Sequence, residues 1–240
     1  MTWNVLLNAT AIGVGFGTAG LGGNSYQAVQ WALDAGFRKF DTAEADWWYD
    51  QPTVGKALRD YVVNHGLSCQ DLEISTKIPP WSLTSISDIR EHAAHSRFEL
   101  LGGYCEDITI QNIQGDSEMT VPHPLDVYYI HAPACWKGWH PRCDNPPPTL
   151  SLRDAWLGME SVVGLDFSAK RIGLSNVHPD QLLDIIAFVG DRIRKGETDP
   201  PPRMPDVLQA YADPLRPADE LRAICQQYGI EFVSYSTLGT

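Results

Sequence analysis

The sequence predicts an α/β fold laid out as an incomplete (β/α)8 barrel, with about seven of the eight βα units present. Short apolar runs alternate with amphipathic segments along the 240 residues, the pattern of βαβ units around a parallel sheet. The length and a hydrophobic content of 43% suit one large core, since α/β barrels run to about 200–250 residues as a unit. Eight Trp, nine Tyr and seven Phe are spread from end to end, so no segment has the weakly hydrophobic composition of a disordered arm.

IGVGF (12–16) reads as the first strand. SYQAVQWALDAG (25–36) follows as a helix, with Ala28, Trp31, Ala32 and Ala35 on one face and Gly36 at the stop position. RKFD (38–41) is a strand, 51–65 a helix ended by Gly66, and LEISTKI (72–78) a strand broken by Pro79 and Pro80. Residues 86–101 form a third helix, stopped by Gly102 and Gly103. The polar stretch 104–124 reads as a surface excursion holding at most a short strand in CEDITIQNI. LDVYYIH (125–131) is a buried strand, and the Pro- and Trp-rich 132–149 a long ordered loop of the kind that builds pockets on a barrel rim. Helices at 152–163, 179–189 and 218–228 alternate with strands at 171–175, 206–210 and 231–235. The chain ends five residues past the seventh strand, whereas closure needs eight. The expectation is a single domain over 1–240 that lacks the C-terminal βα unit.

A net charge of −12 argues against nucleic acid and anionic lipid as partners. The opening MTWNVLLNATAIG has no basic leader, and no run of about 18 apolar residues offers a membrane span. Five cysteines at irregular spacing (69, 105, 135, 143 and 225) fit reduced thiols better than a disulfide framework, which points to a cytoplasmic location.

Three strands end in ionisable side chains: Asp41, Lys77 and His131. In a parallel barrel all strand C-termini share one rim, so these residues would converge. Singly, each has a plain structural role: Asp41 as a cap, Lys77 reaching solvent, His131 as a satisfied core histidine. Together they make a candidate site.

At these residues the chain resembles the aldo-keto reductases, TIM-barrel enzymes that move hydride between NADPH and a carbonyl. GFRKFDTAEADWWYDQPTVGKAL (36–58) is similar to the family signature of a strand-terminal Asp, a loop bearing the catalytic Tyr, and a helix opening Val-Gly-x-Ala-Leu. STKI (75–78) resembles the lysine strand and VYYIHAP (127–133) the histidine strand. RIGLSN (171–176), VLQAYADPL (207–215) and FVSYSTLG (232–239) resemble the segments that hold nicotinamide. The resemblance runs from Gly13 to Thr240, with one departure: two extra residues lengthen the loop between Asp41 and Gly55. It implies Asp41, Tyr49, Lys77 and His131 as catalytic residues. It implies NADP(H) binding by Gly17, Thr18, Asp41, Ser175, Asn176, Gln209, Tyr235, Ser236, Leu238 and Gly239. Trp48, Trp81 and Trp136 would line an apolar pocket for a small aldehyde or ketone. The family residues that grip the 2′-phosphate of NADPH would lie beyond residue 240, which implies weakened cofactor binding.

The required chemistry fits such a set. Hydride addition builds negative charge on the carbonyl oxygen, which needs a proton donor within reach. A phenol with a pKa of about 10 needs help near neutrality; Lys77 would favour the phenolate of Tyr49, Asp41 would fix Lys77, and His131 would orient the carbonyl. No side chain can supply the hydride.

Three rival readings remain at this level. GFGTAG (15–20) followed by Asp41 matches the Rossmann dinucleotide fingerprint, although LGGNS intervenes before the helix. His131, Cys135, His140 and Cys143 are metal-ligand types within 13 residues; the reductase reading expects no metal. A chain with two open sheet edges could also be an inactive barrel fragment or a binding protein.

Overall fold

The computed structural model describes residues 13–111 and 118–238. Seven parallel strands stand in chain order in one sheet: β1 (Phe16–Gly17), β2 (Lys39–Asp41), β3 (Glu73–Ile78), β6 (Leu125–Ile130), β7 (Ala169–Ser175), β8 (Val207–Tyr211) and β9 (Glu231–Tyr235). Among the described residues β1 and β9 are its two edges. The expected strand at 12–16 is shifted and shortened to Phe16–Gly17, with residue 12 outside the described residues.

The sheet is curled. Arg171 on β7 reaches Glu73 on β3 and Glu231 on β9, and Gln209 on β8 bonds Asp41 on β2 across the interior. A small cavity of about 80 Å³ is lined jointly by Gly15, just before β1, and by Phe40, Ser75, Val127, Gln209 and Val233 of β2, β3, β6, β8 and β9. Among the described residues the seven strands thus make a nearly closed barrel.

Among the described residues six α-helices cover the outside: α1 (Ser25–Asp34), α2 (Gln51–His65), α3 (Ile86–Leu101), α4 (Leu152–Gly164), α5 (Pro179–Lys195) and α6 (Asp219–Tyr228). Side chains of Asp50, Ser85 and Ser151 cap α2, α3 and α4 by accepting a backbone N–H of the first turn. Gly66, Gly196 and Gly229 end α2, α5 and α6 in the left-handed region. The buried stripe of α1 is Ser25, Val29, Ala32 and Leu33, not the face through Trp31, which is 64% exposed. The larger aliphatic pair Val29 and Leu33 bury more apolar area than the alanines of the expected face, and so set the rotation of the helix. Val29, Leu58, Ile74, Ile89, Tyr128, Trp156, Ile172 and Ile185 belong to one core between helices and sheet.

Gly55 shows how tightly the layers meet. A Cβ there would lie 2.1 Å from the carbonyl oxygen of Glu99, so α2 and α3 cross at a distance only glycine permits.

The polar excursion is an antiparallel hairpin, β4 (Ile108–Gln111) and β5 (Glu118–Val121), two strands where one was expected. Among the described residues no helix is long and apolar enough to cross a membrane. The expectation of reduced thiols fails: Cys69 is bonded to Cys105 and Cys135 to Cys143, with Cα–Cα distances of 5.6 and 5.2 Å, leaving Cys225 as a buried free thiol. Pairing depends on tertiary proximity, which irregular spacing hides. With it goes the thiol argument for a cytoplasmic location.

Candidate active site

The C-terminal ends of the strands surround a cleft of about 590 Å³ lined by Gly17, Thr18, Ala19, Asp41, Trp48, Tyr49, His131, Trp136, Trp139, Asn176, Gln209, Tyr235 and Ser236. Strand direction explains the gathering: parallel neighbours in chain order deliver every post-strand residue to the same rim. Register does the rest, with Gly17 opposite Asp41 and Asp41 opposite Ser75.

Lys77 points inward from β3 and is 1% exposed. Its ammonium donates to Asp41 Oδ2 at 2.5 Å and to the Thr42 carbonyl at 2.8 Å. Ser75 Oγ (2.8 Å) and Gln209 Nε2 (3.1 Å) donate to the other Asp41 oxygen, so the carboxylate is held by three strands. Tyr49 arrives on the loop after β2, its ring centroid 5.4 Å from Lys77 Nζ and 5.7 Å from the His131 ring. The four groups expected to converge do so.

Electrostatics here differ from the simplest expectation. Burial raises the Tyr49 phenol above its ordinary value; Lys77 opposes this and Asp41 adds to it. The phenol therefore holds its proton at neutral pH. His131 is pushed well below the ordinary imidazole range, first by burial and then by the Lys77 charge, and is neutral. Its Nδ1 is buried without a hydrogen-bond partner.

The sign of the His131 shift gives a stability prediction. A depressed folded-state pKa contributes stability that is fully present above about pH 6.5 and is lost as pH falls below it. Unfolding free energies from denaturant titrations between pH 8 and 5 are expected to fall more steeply below about pH 6.5 for the wild type than for His131→Asn, by up to about 1.4 kcal/mol per pH unit. Parallel curves would show that His131 is not a buried neutral imidazole.

The opposite wall is built from β7, β8 and β9. Asn176 follows β7 at φ 55°, a left-handed conformation asparagine tolerates better than most residues. That turn lets its Nδ2 donate to the His131 carbonyl (2.9 Å) and to Ser175 Oγ (3.2 Å), while its Oδ1 accepts from the Tyr235 hydroxyl (2.6 Å). Ser236, also left-handed at φ 52°, turns the chain after Tyr235. Burial raises the Tyr235 phenol, as do its neighbours Tyr49 and Tyr211. Ser175 is wholly buried behind Asn176. Leu238 is fully exposed and does not line the cleft; Gly239 lies outside the described residues.

Of the three expected pocket tryptophans, Trp48 and Trp136 line the cleft and Trp81 does not. Trp81 sits one layer back, 4% exposed, because the Pro79–Pro80 turn folds it beneath the later loop. There it stacks on His140 at 4.2 Å and leans on Trp139 at 5.3 Å. Trp139 supplies the missing wall, stacked on Trp136 at 4.1 Å; its spacing three residues after Trp136 in a Trp-rich loop was the available signal. The Arg142 N–H donates to His140 Nδ1 at 3.0 Å, so Nε2 carries the proton and donates to Asp46 at 3.1 Å, tying this loop to the Tyr49 loop.

Two of the rival readings, the Rossmann fingerprint and the metal site, lose their geometry. A 3-10 turn, Gly22–Asn24, stands between GFGTAG and α1, so no glycine of that motif opens the helix. Cys135 and Cys143 are spent on each other, and among the described residues no three His, Cys, Asp or Glu side chains are gathered as a metal site.

The rim fits the nicotinamide end of a dinucleotide. Asn176 and Gln209 present amides, Tyr235 a flat aromatic face, and a Cβ at Gly17 would meet nothing within 4 Å, so the backbone is open to close approach. Among the described residues no Lys or Arg lines the cleft to meet a diphosphate.

A family model described as the Aldo/keto reductase family matches residues 13–240. The chain is similar to an aldo-keto reductase of Bombyx mori, 26% identical over 232 residues, covering 95% of this chain and 62% of that protein. It is 28% identical over 225 residues to aldo-keto reductase family 1 member A1 of Xenopus tropicalis, covering 91% of this chain and 58% of that protein. It is 29% identical over 248 residues to glycerol 2-dehydrogenase (NADP(+)) of Hypocrea jecorina, covering 100% and 68% respectively. Among solved structures, the Bombyx mori aldo-keto reductase in complex with NADP matches with a TM-score of 0.68 at 24% identity, covering 93% of this chain and 62% of that one. Aldose reductase from Giardia lamblia matches at 0.70 and 22%, covering 92% and 64%. These structural likenesses speak for the fold. The chain thus spans about three-fifths of the length of the first two relatives.

Proposed function

The chain belongs to the aldo/keto reductase family, and from that premise we propose that it binds NADP(H) and reduces a small aldehyde or ketone, with Tyr49 as the proton donor. The observation that carries this reading is the meeting of Asp41, Tyr49 and His131 at one cleft, with Lys77 buried behind them against Asp41 and the Tyr49 ring.

When bound, NADPH supplies the hydride. The residues supply the rest. Tyr49, kept protonated by burial, gives its proton to the carbonyl oxygen as negative charge develops there. Lys77 stabilises the phenolate left behind, because an ammonium nearby favours the anion. Asp41 holds that ammonium in place through their 2.5 Å contact. His131, neutral, donates an N–H to the same carbonyl oxygen and orients it. Asn176, supported by Ser175, and Gln209 would hold the carboxamide of the cofactor, with Tyr235 at its ring and Gly17, Thr18 and Ser236 bordering it. Trp48, Trp136 and Trp139 exclude water and favour an apolar substrate.

With no Lys or Arg along the cleft among the described residues, cofactor affinity is expected to be weak. Titrating the chain with NADPH and following nucleotide fluorescence should give a Kd above the micromolar range; micromolar or tighter binding would mean that the described rim suffices. Aldehyde-dependent loss of NADPH absorbance at saturating cofactor tests the activity. Its absence with both aliphatic and aromatic aldehydes would sink the reductase reading in favour of a non-catalytic barrel.

A further inference from the structure

Behind the Tyr49 loop lies a largely enclosed carboxylate that the chemistry above does not use. Glu44 follows Asp41 by three residues, and its side chain is 10% exposed. A carboxylate so enclosed must be met by donors or it costs several kcal/mol, of order, in lost hydration. Three donors from two elements meet it. Ser96 of α3 (2.8 Å) and Tyr128 of β6 (2.6 Å) donate hydroxyls to Oε1, and His92 of α3 donates its Nδ1 proton to Oε2 at 2.7 Å. Tyr128 keeps its proton for this because burial and the Glu44 charge hold its phenol well above the ordinary value.

The same Ser96 hydroxyl accepts from Gln51 Nε2 at 3.0 Å. Gln51 is buried, also donates to Glu99 (2.8 Å), and accepts from Thr76, the neighbour of Lys77 on β3, at 2.5 Å. One serine therefore joins a residue five before Tyr49 to a residue two after it. Between the two anchors the backbone forms a tight turn: Trp48 N and Tyr49 N both donate to the Ala45 carbonyl, at 3.0 and 3.1 Å. Glu44 N itself donates to the Lys77 carbonyl at 3.1 Å. The loop is thus pinned to the lysine strand by its backbone and to α3 and β6 by a charged side chain, on either side of the proposed proton donor.

We propose that Glu44, acting with Gln51 through the shared Ser96 hydroxyl, is the positioning residue of Tyr49: it holds the lengthened loop so that the phenol stands over Lys77 and beside His131. The proposal rests on the reductase reading for its kinetic consequence but not for its structural one. A purely stabilising network would lower the melting temperature without altering turnover per folded molecule. A positioning network changes turnover itself, because a displacement of about 1 Å at a reacting group costs on the order of 100-fold in rate.

The test uses the whole chain and three variants, Glu44→Ala, Glu44→Gln and Tyr128→Phe, each first shown to be folded by circular dichroism. For Glu44→Ala, kcat is expected to fall by about 100-fold with the KM for NADPH within about twofold of wild type. Glu44→Gln keeps the volume and an acceptor oxygen for Ser96 and Tyr128, and is expected to regain about tenfold of that loss. Tyr128→Phe removes one donor and is expected to fall between wild type and Glu44→Ala. Wild-type kcat in Glu44→Ala overturns the proposal; should that variant not fold, wild-type kcat in both others does so. If the wild-type chain shows no aldehyde-dependent NADPH oxidation, the reductase reading fails and the clamp is read from amide hydrogen exchange instead. Trp48 and Tyr49 amides exchanging about tenfold faster in Glu44→Gln than in wild type would uphold the clamp, and unchanged rates would overturn it.

Discussion

Tyr49→Phe is expected to lower kcat for carbonyl reduction by about 10²–10⁴-fold, the range of a lost general acid, while the KM for NADPH stays near its wild-type value. The substitution removes one oxygen. The ring keeps its packing against the cluster of Ala45, Trp81 and Cys143 and its place beside His131, so loop geometry and pocket shape are preserved. The loss then reports the proton alone. Steady-state kinetics with a saturating aldehyde, at pH 7 and fixed cofactor, make the comparison. A variant that keeps wild-type kcat would show that another group, or solvent, protonates the oxygen, and His131 would be the first alternative within reach.

Lys77→Met should affect both stability and turnover. Methionine keeps the length and apolar stem of the side chain but removes the ammonium from a wholly buried position. Asp41 is then left with the donors Ser75 and Gln209 and no cation. Removing one partner of a buried pair costs about 3–5 kcal/mol. Because the Asp41 side chain is 24% exposed, the lower end, about 3 kcal/mol, is expected in denaturant unfolding. On the kinetic side, Lys77 is the influence that holds the Tyr49 pKa down against burial. Without it the phenol becomes a still weaker acid, and kcat should fall on the order of 100-fold. A variant with lowered stability but wild-type kcat and pH–rate profile would reduce Lys77 to a structural partner of Asp41. The two experiments also separate cases: Tyr49→Phe should leave stability nearly unchanged, whereas Lys77→Met should not.

Element order was legible because it is written in local periodicity. α2 at Gln51–His65, α3 at Ile86–Leu101 and β9 at Glu231–Tyr235 stand at their expected bounds, each framed by a cap, a glycine or a proline whose backbone preference is intrinsic. Where the signal was weak, tertiary forces decided. α1 turned to bury Val29 and Leu33 in place of Trp31, since a ten-residue helix with apolar residues all round has no unique face until it packs. α5 runs on to Lys195, six residues past its expected end; its polar last turns are carried by intrahelical bonds and the cap at Gly196, which an apolar-periodicity rule does not count.

The candidate site divides in the same way. Asp41, Lys77 and His131 were readable from strand ends, because chain order and parallel direction alone bring strand tips to one rim. Tyr49 depended on the resemblance, and its loop carries two more residues than the common pattern. Trp81 was misplaced and Glu44 was not seen at all. A tryptophan after a strand looks the same whether it lines a cleft or supports one, and a glutamate three residues past an aspartate looks like solvated surface.

The sequence by itself determined which chemical groups exist, the order in which strands present them, and the backbone signals that start and stop each helix, since these depend only on neighbours along the chain. Tertiary structure alone decided which cysteines pair, which tryptophans meet the cleft, and how burial outweighs Lys77 in setting the Tyr49 proton affinity. Those outcomes depend on distances and solvent exclusion between residues tens of positions apart, and neither quantity is defined until the sheet has curled.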